Sequence, residues 1–265
     1  MRVRVASLDM ETGLEGKVVL VTGGAGGIGT AITRAFAAEG AVPVIHYRSS
    51  EERARALEKE TGGFALRADL TVETEVEDLF EQAVVTAGRL DILVANAGWW
   101  PSTDEPVWQM STDRWRRTLA INLDGTFFCC RAFLRHVEKT GNGNIVLVSS
   151  TAGVLGEAGH ADYAAAKSAL AGGFLKSLKN EIVRVAPAGR VNTVCPGWTQ
   201  TEMTKDELKD PELVRKITRT MALEKVGQAE DVARVVVALA SDEISGHVTG
   251  EVITVAGGME GRLLR

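Results

Sequence analysis

Alternation constrains this chain more than any other feature. Short apolar runs of strand length are followed, again and again, by helical stretches. The first run, Lys17-Val18-Val19-Leu20-Val21-Thr22, is almost wholly apolar, as a strand buried on both faces must be. Gly23-Gly24-Ala25-Gly26-Gly27-Ile28-Gly29 follows it directly and opens a helix that Gly40 closes. Further strand-like runs fall at 42–46, 64–68, 91–95, 144–148, 191–194 and 251–255, with helical segments between most of them. Such βα units predict a parallel sheet covered on both faces, with right-handed crossovers. Long helices are expected over 113–139 and from Tyr163 to about 185, and a further helix after the first turn of residue 71, with Thr71 as its cap.

The expected architecture is therefore α/β: one doubly wound, Rossmann-type domain with a parallel seven-stranded sheet. Residues 1–15 read as an N-terminal tail and 16–265 as the domain, because no Pro/Ser linker and no repeat interrupts the pattern. A net charge of −5 without a Lys/Arg block argues against nucleic acid as a partner. No apolar run approaches the ~20 residues that span a bilayer, so no membrane association is expected. Three cysteines, Cys129, Cys130 and Cys195, read as reduced thiols of a cytoplasmic protein with packing roles. No cluster of metal-ligand spacing stands out, so no metal is expected.

Two stretches carry chemistry. The turn Thr22-Gly23-x-x-x-Gly27-Ile28-Gly29 joins a buried strand to a helix N-terminus. Glycines let backbone approach a pyrophosphate, and the helix end favours its charge. At the end of the second strand, His46-Tyr47-Arg48-Ser49-Ser50 contains no carboxylate. An acidic residue there would hold the 2′-hydroxyl of NAD; Arg48 and the serine hydroxyls suit the 2′-phosphate of NADP, so NADP(H) is favoured over NAD(H). The second stretch is Ser150 with Tyr163 and Lys167, the last two four residues apart on one helical face. A cation beside a phenol should pull its proton affinity toward neutrality and make it an acid and base.

Taken together, these residues resemble the short-chain dehydrogenase/reductase family. The matches are the glycine turn at 22–29, Asp69-Leu70, Ala95-Asn96-Ala97-Gly98, Asn122, Ser150, Tyr163-x-x-x-Lys167 and Pro196-Gly197, in the family's order over residues 16–260. Within it the pattern is similar to that of β-ketoacyl-carrier-protein reductases. The resemblance implies that Asp69 and Leu70 contact adenine and that Asn96, Ala97 and Gly98 line the cofactor. It implies that Lys167 and Tyr163 also hold the nicotinamide ribose, that Asn122 holds a water leading to Lys167, and that Pro196, Gly197, Thr199 and Thr201 hold the nicotinamide end. The activity implied is interconversion of a carbonyl and a secondary alcohol, on a small-molecule or acyl-carrier-bound substrate, by a homotetramer. Trp99, Trp100, Leu155, His160, Trp198 and Met203 are the candidates for an apolar substrate pocket. Two other readings stand beside this one: an NAD-dependent sugar or polyol dehydrogenase, and a non-catalytic dinucleotide sensor, which has no need of the full proton-transfer set. Departures from the family pattern are Gly26, where NADP-preferring members often carry a basic residue, together with Ala95 and Ala256. Residues 199–225 read as a charged, mobile insertion placed to cover the nicotinamide.

Overall fold

The computed structural model describes residues 11–202, 204–205 and 207–260. Seven parallel strands form the sheet: β1 (Val18–Val21), β2 (Val42–Tyr47), β3 (Phe64–Arg67), β4 (Ile92–Ala95), β5 (Asn144–Val148), β6 (Arg190–Pro196) and β9 (Val252–Val255). A separate two-stranded ribbon pairs β7 (Thr199–Gln200) with β8 (Gly227–Gln228). The sheet order is β3-β2-β1-β4-β5-β6-β9, so the winding reverses between β1 and β4. Ligands of such sheets bind beyond the carboxyl ends of the strands at this reversal.

Helices cover both faces. On one side α1 (Gly27–Ala38) and α10 (Ala229–Ala240) bury Ile32, Phe36, Val232 and Val236 against β1, β4, β5 and β6. On the other, α3 (Glu73–Ala87), α5 (Gly125–Thr140) and α8 (Gly173–Ile182) bury Leu79, Phe133 and Leu175. α2 (Glu51–Thr61) closes the β2–β3 edge through Ala54 and Leu57. The remaining helices are α4 (Thr112–Leu119), α6 (Thr151–Leu155), α7 (Ala161–Ala171), α9 (Pro211–Thr218) and α11 (Asp242–Ser245). Among the described residues no helix is long and apolar enough to cross a membrane.

The structure refines several expectations. Of the tail assigned to 1–15, residues 1–10 lie outside the described residues, and residues 11–15 are packed: Leu14 is buried in the α1–α10 core and the Ser241 hydroxyl donates to Thr12 O at 2.6 Å. The helix expected over 113–139 contains a π-helical stretch, Ala120–Asp124, between α4 and α5. The helix expected from Tyr163 to 185 breaks at Gly172, whose φ of −122° and ψ of −115° lie outside the helical region, so α7 and α8 are separate. Thr71 does not cap α3; Val72 holds that position, and Thr71 instead bonds Asp69. Within the insertion at 199–225, α9 begins on Pro211 with the Asp210 carboxylate accepting from Glu212 N, and Ile217 and Met221 pack with Ala256 and Met259.

Candidate active site

The glycine turn is held by bonds that its own sequence does not announce. Gly23 has a φ of +62°, which a residue with a side chain rarely adopts. Its N–H donates to Nδ1 of His46 at 2.9 Å, and Nε2 of the same ring lies 3.0 Å from Ala68 O. Nδ1 therefore accepts and Nε2 donates, which defines a neutral imidazole tying β1, β2 and β3 together. Burial pushes His46 down to about 4. A Cβ built on Gly29 would lie 2.1 Å from Gly23 O, so α1 starts closer to the turn than any other residue permits. The Thr22 hydroxyl accepts from the N–H groups of Asn96 and Ala97, both at 2.9 Å, and Asn96 Nδ2 donates to Thr22 O at 2.9 Å. These bonds lock the tips of β1 and β4 at the reversal point.

A cavity of about 380 Å³ runs from this turn across the strand ends. Every residue assigned to the cofactor borders it, from Gly23 and Gly27 through Tyr47, Arg48, Asp69 and Gly98 to Pro196 and Thr201. The residues fit a dinucleotide. α1 has no acidic residue in its first turn, and its first helical bond is Thr30 N to Gly26 O, so the amides of Gly27, Ile28 and Gly29 precede any helical acceptor. Asp69 accepts from Thr71 N at 2.9 Å and Thr71 Oγ1 at 2.7 Å, which holds its carboxyl below the usual range.

Ser150, Tyr163 and Lys167 meet at the other end. Ser150 lies two residues past the end of β5, and its Oγ caps α6 by accepting from Ala152 N at 3.1 Å. The Ser150 side chain faces Tyr163 and favours its phenolate. Lys167 Nζ donates to Val148 O at 3.0 Å and lies 5.7 Å from the centre of the Tyr163 ring; the Ser149 hydroxyl donates to Lys167 O at 2.6 Å. Burial pushes Tyr163 up to about 12, with the Ser150 side chain opposing it, and burial pushes Lys167 down to about 8. Desolvation disfavours the charged form of each.

The aromatic side of the cavity is built from side chains. Trp100 stacks on His160 with ring centres 3.9 Å apart and meets Tyr163 edge-on at 4.8 Å. Arg117 sits over Trp99 at 4.8 Å. Trp99, Trp100 and Trp198 border the cavity, whereas His160 and Leu155 do not. His160 is the buried backing of Trp100, with Nε2 2.9 Å from Pro101 O, and Leu155 faces outward. Met203 lies outside the described residues. Asn122 also stands behind the wall. Its amide is spent on backbone: Oδ1 accepts from Trp99 N at 2.9 Å, and Nδ2 donates to Trp99 O and Thr118 O, both at 3.0 Å. Gly98 lies between it and the lysine, since a Cβ there would be 2.9 Å from Asn122 Oδ1 and 3.2 Å from Lys167 Nζ. Sequence reasoning missed His46, Thr22 and the bonding of the Trp99 loop; the place of His46 at the last turn of a buried strand was the one available signal.

Comparison with known proteins agrees with this geometry. A family model described as enoyl-(acyl carrier protein) reductase matches residues 23–260. The chain is 38% identical over 255 residues to the 3-oxoacyl-(acyl-carrier-protein) reductase of Thermotoga maritima, covering 93% of this chain and 98% of that protein. It is 38% identical over 248 residues to the enzyme of the same name from Escherichia coli (92% and 98% covered), and 34% identical over 253 residues to that of Synechocystis (94% and 98%). The chain belongs to the short-chain dehydrogenase/reductase family. It is an oxidoreductase that acts between a carbonyl and an alcohol with a nicotinamide dinucleotide.

Proposed function

We propose that the protein reduces the keto group of a 3-oxoacyl or related apolar carbonyl substrate with NADP(H), Tyr163 being the proton donor. The observation that carries this reading is that Ser150, Tyr163 and Lys167 border the same end of the cavity, with Lys167 Nζ 5.7 Å from the centre of the Tyr163 ring. Two neighbouring hydroxyls can share one acceptor, and a carbonyl oxygen gathering charge is such an acceptor. The dinucleotide, when bound, supplies the hydride. The chain supplies the rest. With its proton held up to about 12, Tyr163 reaches the substrate protonated, the state a reduction requires. Ser150 holds the oxygen in place. Lys167, at about 8, is mostly cationic at neutral pH and stabilises the phenolate left behind. Asn122 supports this group by fixing Trp99 and Thr118, and the expected water path to Lys167 would run past Gly98 rather than through the Asn122 amide.

The preference for NADP(H) rests on Arg48, Ser49 and Ser50 bordering the cavity where a carboxylate would select NAD. The indole-lined end suits an apolar substrate better than a sugar or polyol. The relatives named above act, by their names, on carrier-bound 3-oxoacyl groups, which supports an acyl-carrier-bound substrate here. Assembly as a homotetramer in the cytoplasm completes the proposal. Phe127 is 40% exposed and, with half-buried Phe128 and Phe174, forms an uncovered apolar patch, although Phe133 and Leu175 belong to the core. Sedimentation showing only monomer would remove the tetramer. A panel of 3-oxoacyl thioesters, enoyl thioesters, sugars and polyols, each with NADPH or NADH or their oxidised forms, tests the activity. Turnover of the 3-oxoacyl compounds with NADPH is expected; turnover confined to polyols with NAD would replace this reading.

A further inference from the structure

The segment from Trp99 to Met110 carries the two tryptophans of the pocket and holds no helix or strand of its own. One side chain makes most of the bonds that hold it to the start of α7. Arg114, on α4, donates from Nη1 to Thr103 O at 2.7 Å and to Glu105 Oε2 at 3.0 Å, both within the loop. From Nη2 it donates to Gly159 O at 3.0 Å and to Asp162 Oδ1 at 3.4 Å, and from Nε to Asp162 Oδ2 at 3.1 Å. Asp162 is fully buried, takes a further 2.6 Å bond from the Thr118 hydroxyl, and immediately precedes Tyr163. Only 11% of the Arg114 side chain is exposed. Two further bonds run parallel to the clamp, Glu105 N to Gly159 O at 2.9 Å and His160 Nε2 to Pro101 O at 2.9 Å.

The planar fork of arginine can hold a carboxylate and several carbonyls at once, which lysine cannot. The five bonds therefore do two things together. They fix the loop, and they fix it against the residue before Tyr163. Trp100 meets the Tyr163 ring edge-on with centres 4.8 Å apart, and both border the cavity, so the position of Trp100 decides how much room is left beside Tyr163.

We propose that Arg114 is a positioning residue for the substrate: it clamps the Trp99–Met110 loop to the start of α7 and so holds Trp100 against Tyr163, which limits the room in the cavity beside the tyrosine. The space left then admits a flat or unbranched apolar group beside the keto carbon and disfavours a branched one. Arg114 touches neither substrate nor dinucleotide; it acts through Trp100.

Two readouts test this, and only the second rests on the proposed carbonyl reduction. The first needs no turnover. In a Trp108→Phe background, which removes the most exposed indole, Arg114→Gln should raise acrylamide quenching of tryptophan fluorescence and speed amide exchange at residues 99–110. Exchange in β1 and β4 should stay as it was. In the second, Arg114→Gln should raise KM several-fold for unbranched 3-oxo compounds with little change in kcat, and narrow the discrimination against branched ones, while NADPH affinity stays unchanged. Arg114→Lys should recover part of the charge pairing but not the carbonyl bonds, and fall between the two. Removing the guanidinium leaves Asp162 buried without its partner, which costs stability. If the single variant does not fold, Arg114→Gln with Asp162→Asn, a neutral amide pair, is read in the same way. Unchanged quenching and exchange at 99–110 in a folded variant overturns the clamp. So does a loss of kcat and NADPH affinity with KM unaltered. A wild type that turns over no 3-oxo compound sinks the proposed substrate and leaves the fluorescence and exchange readout to decide the clamp.

Discussion

The two ends of the cavity are made of different material. The dinucleotide end is backbone: glycines of the β1–α1 turn, the tips of β1 and β4, and amides at a helix start. The substrate end is side chains that pair across long stretches of chain, Trp100 on His160 and Arg114 on Asp162. Backbone geometry admits few residue types, so the first end is nearly dictated by its glycines. Side-chain pairings admit many solutions, so the second end is where members of one fold can differ in what they accept. Tyr163 stands at the junction and belongs to both.

The largest effect should come from that junction. Tyr163→Phe removes one hydroxyl, and steady-state turnover should fall ~10²-fold or more, the range of general acid–base catalysis, while NADPH titration gives an unchanged affinity. Turnover near the wild-type value would take Tyr163 out of the mechanism.

Next comes the backbone end. Gly29→Ala would put a Cβ 2.1 Å from Gly23 O, and overpacking of this kind costs about 1–3 kcal/mol. Both thermal stability and dinucleotide affinity should drop, whereas Trp100→Ala should alter substrate KM and leave dinucleotide affinity alone. Equal effects of the two variants on both ligands would erase the distinction between the ends.

A smaller, sign-specific effect concerns pH. Lys167 is pushed by burial down to about 8, so its ammonium is lost as pH rises through that value, and the reductive rate should decline there. His46 works on stability in the opposite range. Its folded value of about 4 lies below the ordinary value near 6.5, so the unfolded chain binds the extra proton between the two. Its contribution is complete above about 6.5 and disappears as pH falls toward 4, up to about 3 kcal/mol at 1.36 kcal/mol per unit. Chemical denaturation across this window, compared with His46→Gln, should show a flatter acid limb in the variant.

The smallest effect expected is at the cofactor's outer edge. Arg48→Asp places a carboxylate where the 2′-phosphate is proposed to sit, and NADPH should lose about tenfold in affinity or more, against little change for NADH. A wild type that already prefers NADH would make Gly26 the better guide to the cofactor.

The same contrast explains what could be read from the chain alone. Apolar runs and glycines placed the strands, the turn and the reversal point, because burial on both faces and a close backbone approach each leave a compositional mark. The π-helical stretch around Asn122 left none: its hydrogen bonds shift by one residue without any change in residue type. The break at Gly172 did leave a mark, the Gly172-Gly173 pair, but helix-forming residues on either side outweighed it. His46 was visible only as one more strand residue, and Arg114 only as one charge in a helix, because the partners of His46, and Gly159 and Asp162 for Arg114, lie more than twenty residues away in sequence. Spacing shows that a cation stands near a phenol, but not how deeply both are buried.

Reduction of a keto group, and not of a carbon–carbon double bond, is the proposed chemistry of this site. The direct test follows the label from NADPH deuterated at the transferable position, mixed with the protein and either a 3-oxoacyl or an enoyl thioester. One deuterium is expected on the hydroxyl-bearing carbon of a 3-hydroxyacyl product. Deuterium appearing instead in a saturated acyl product of the enoyl substrate, with the 3-oxoacyl compound untouched, would contradict keto reduction.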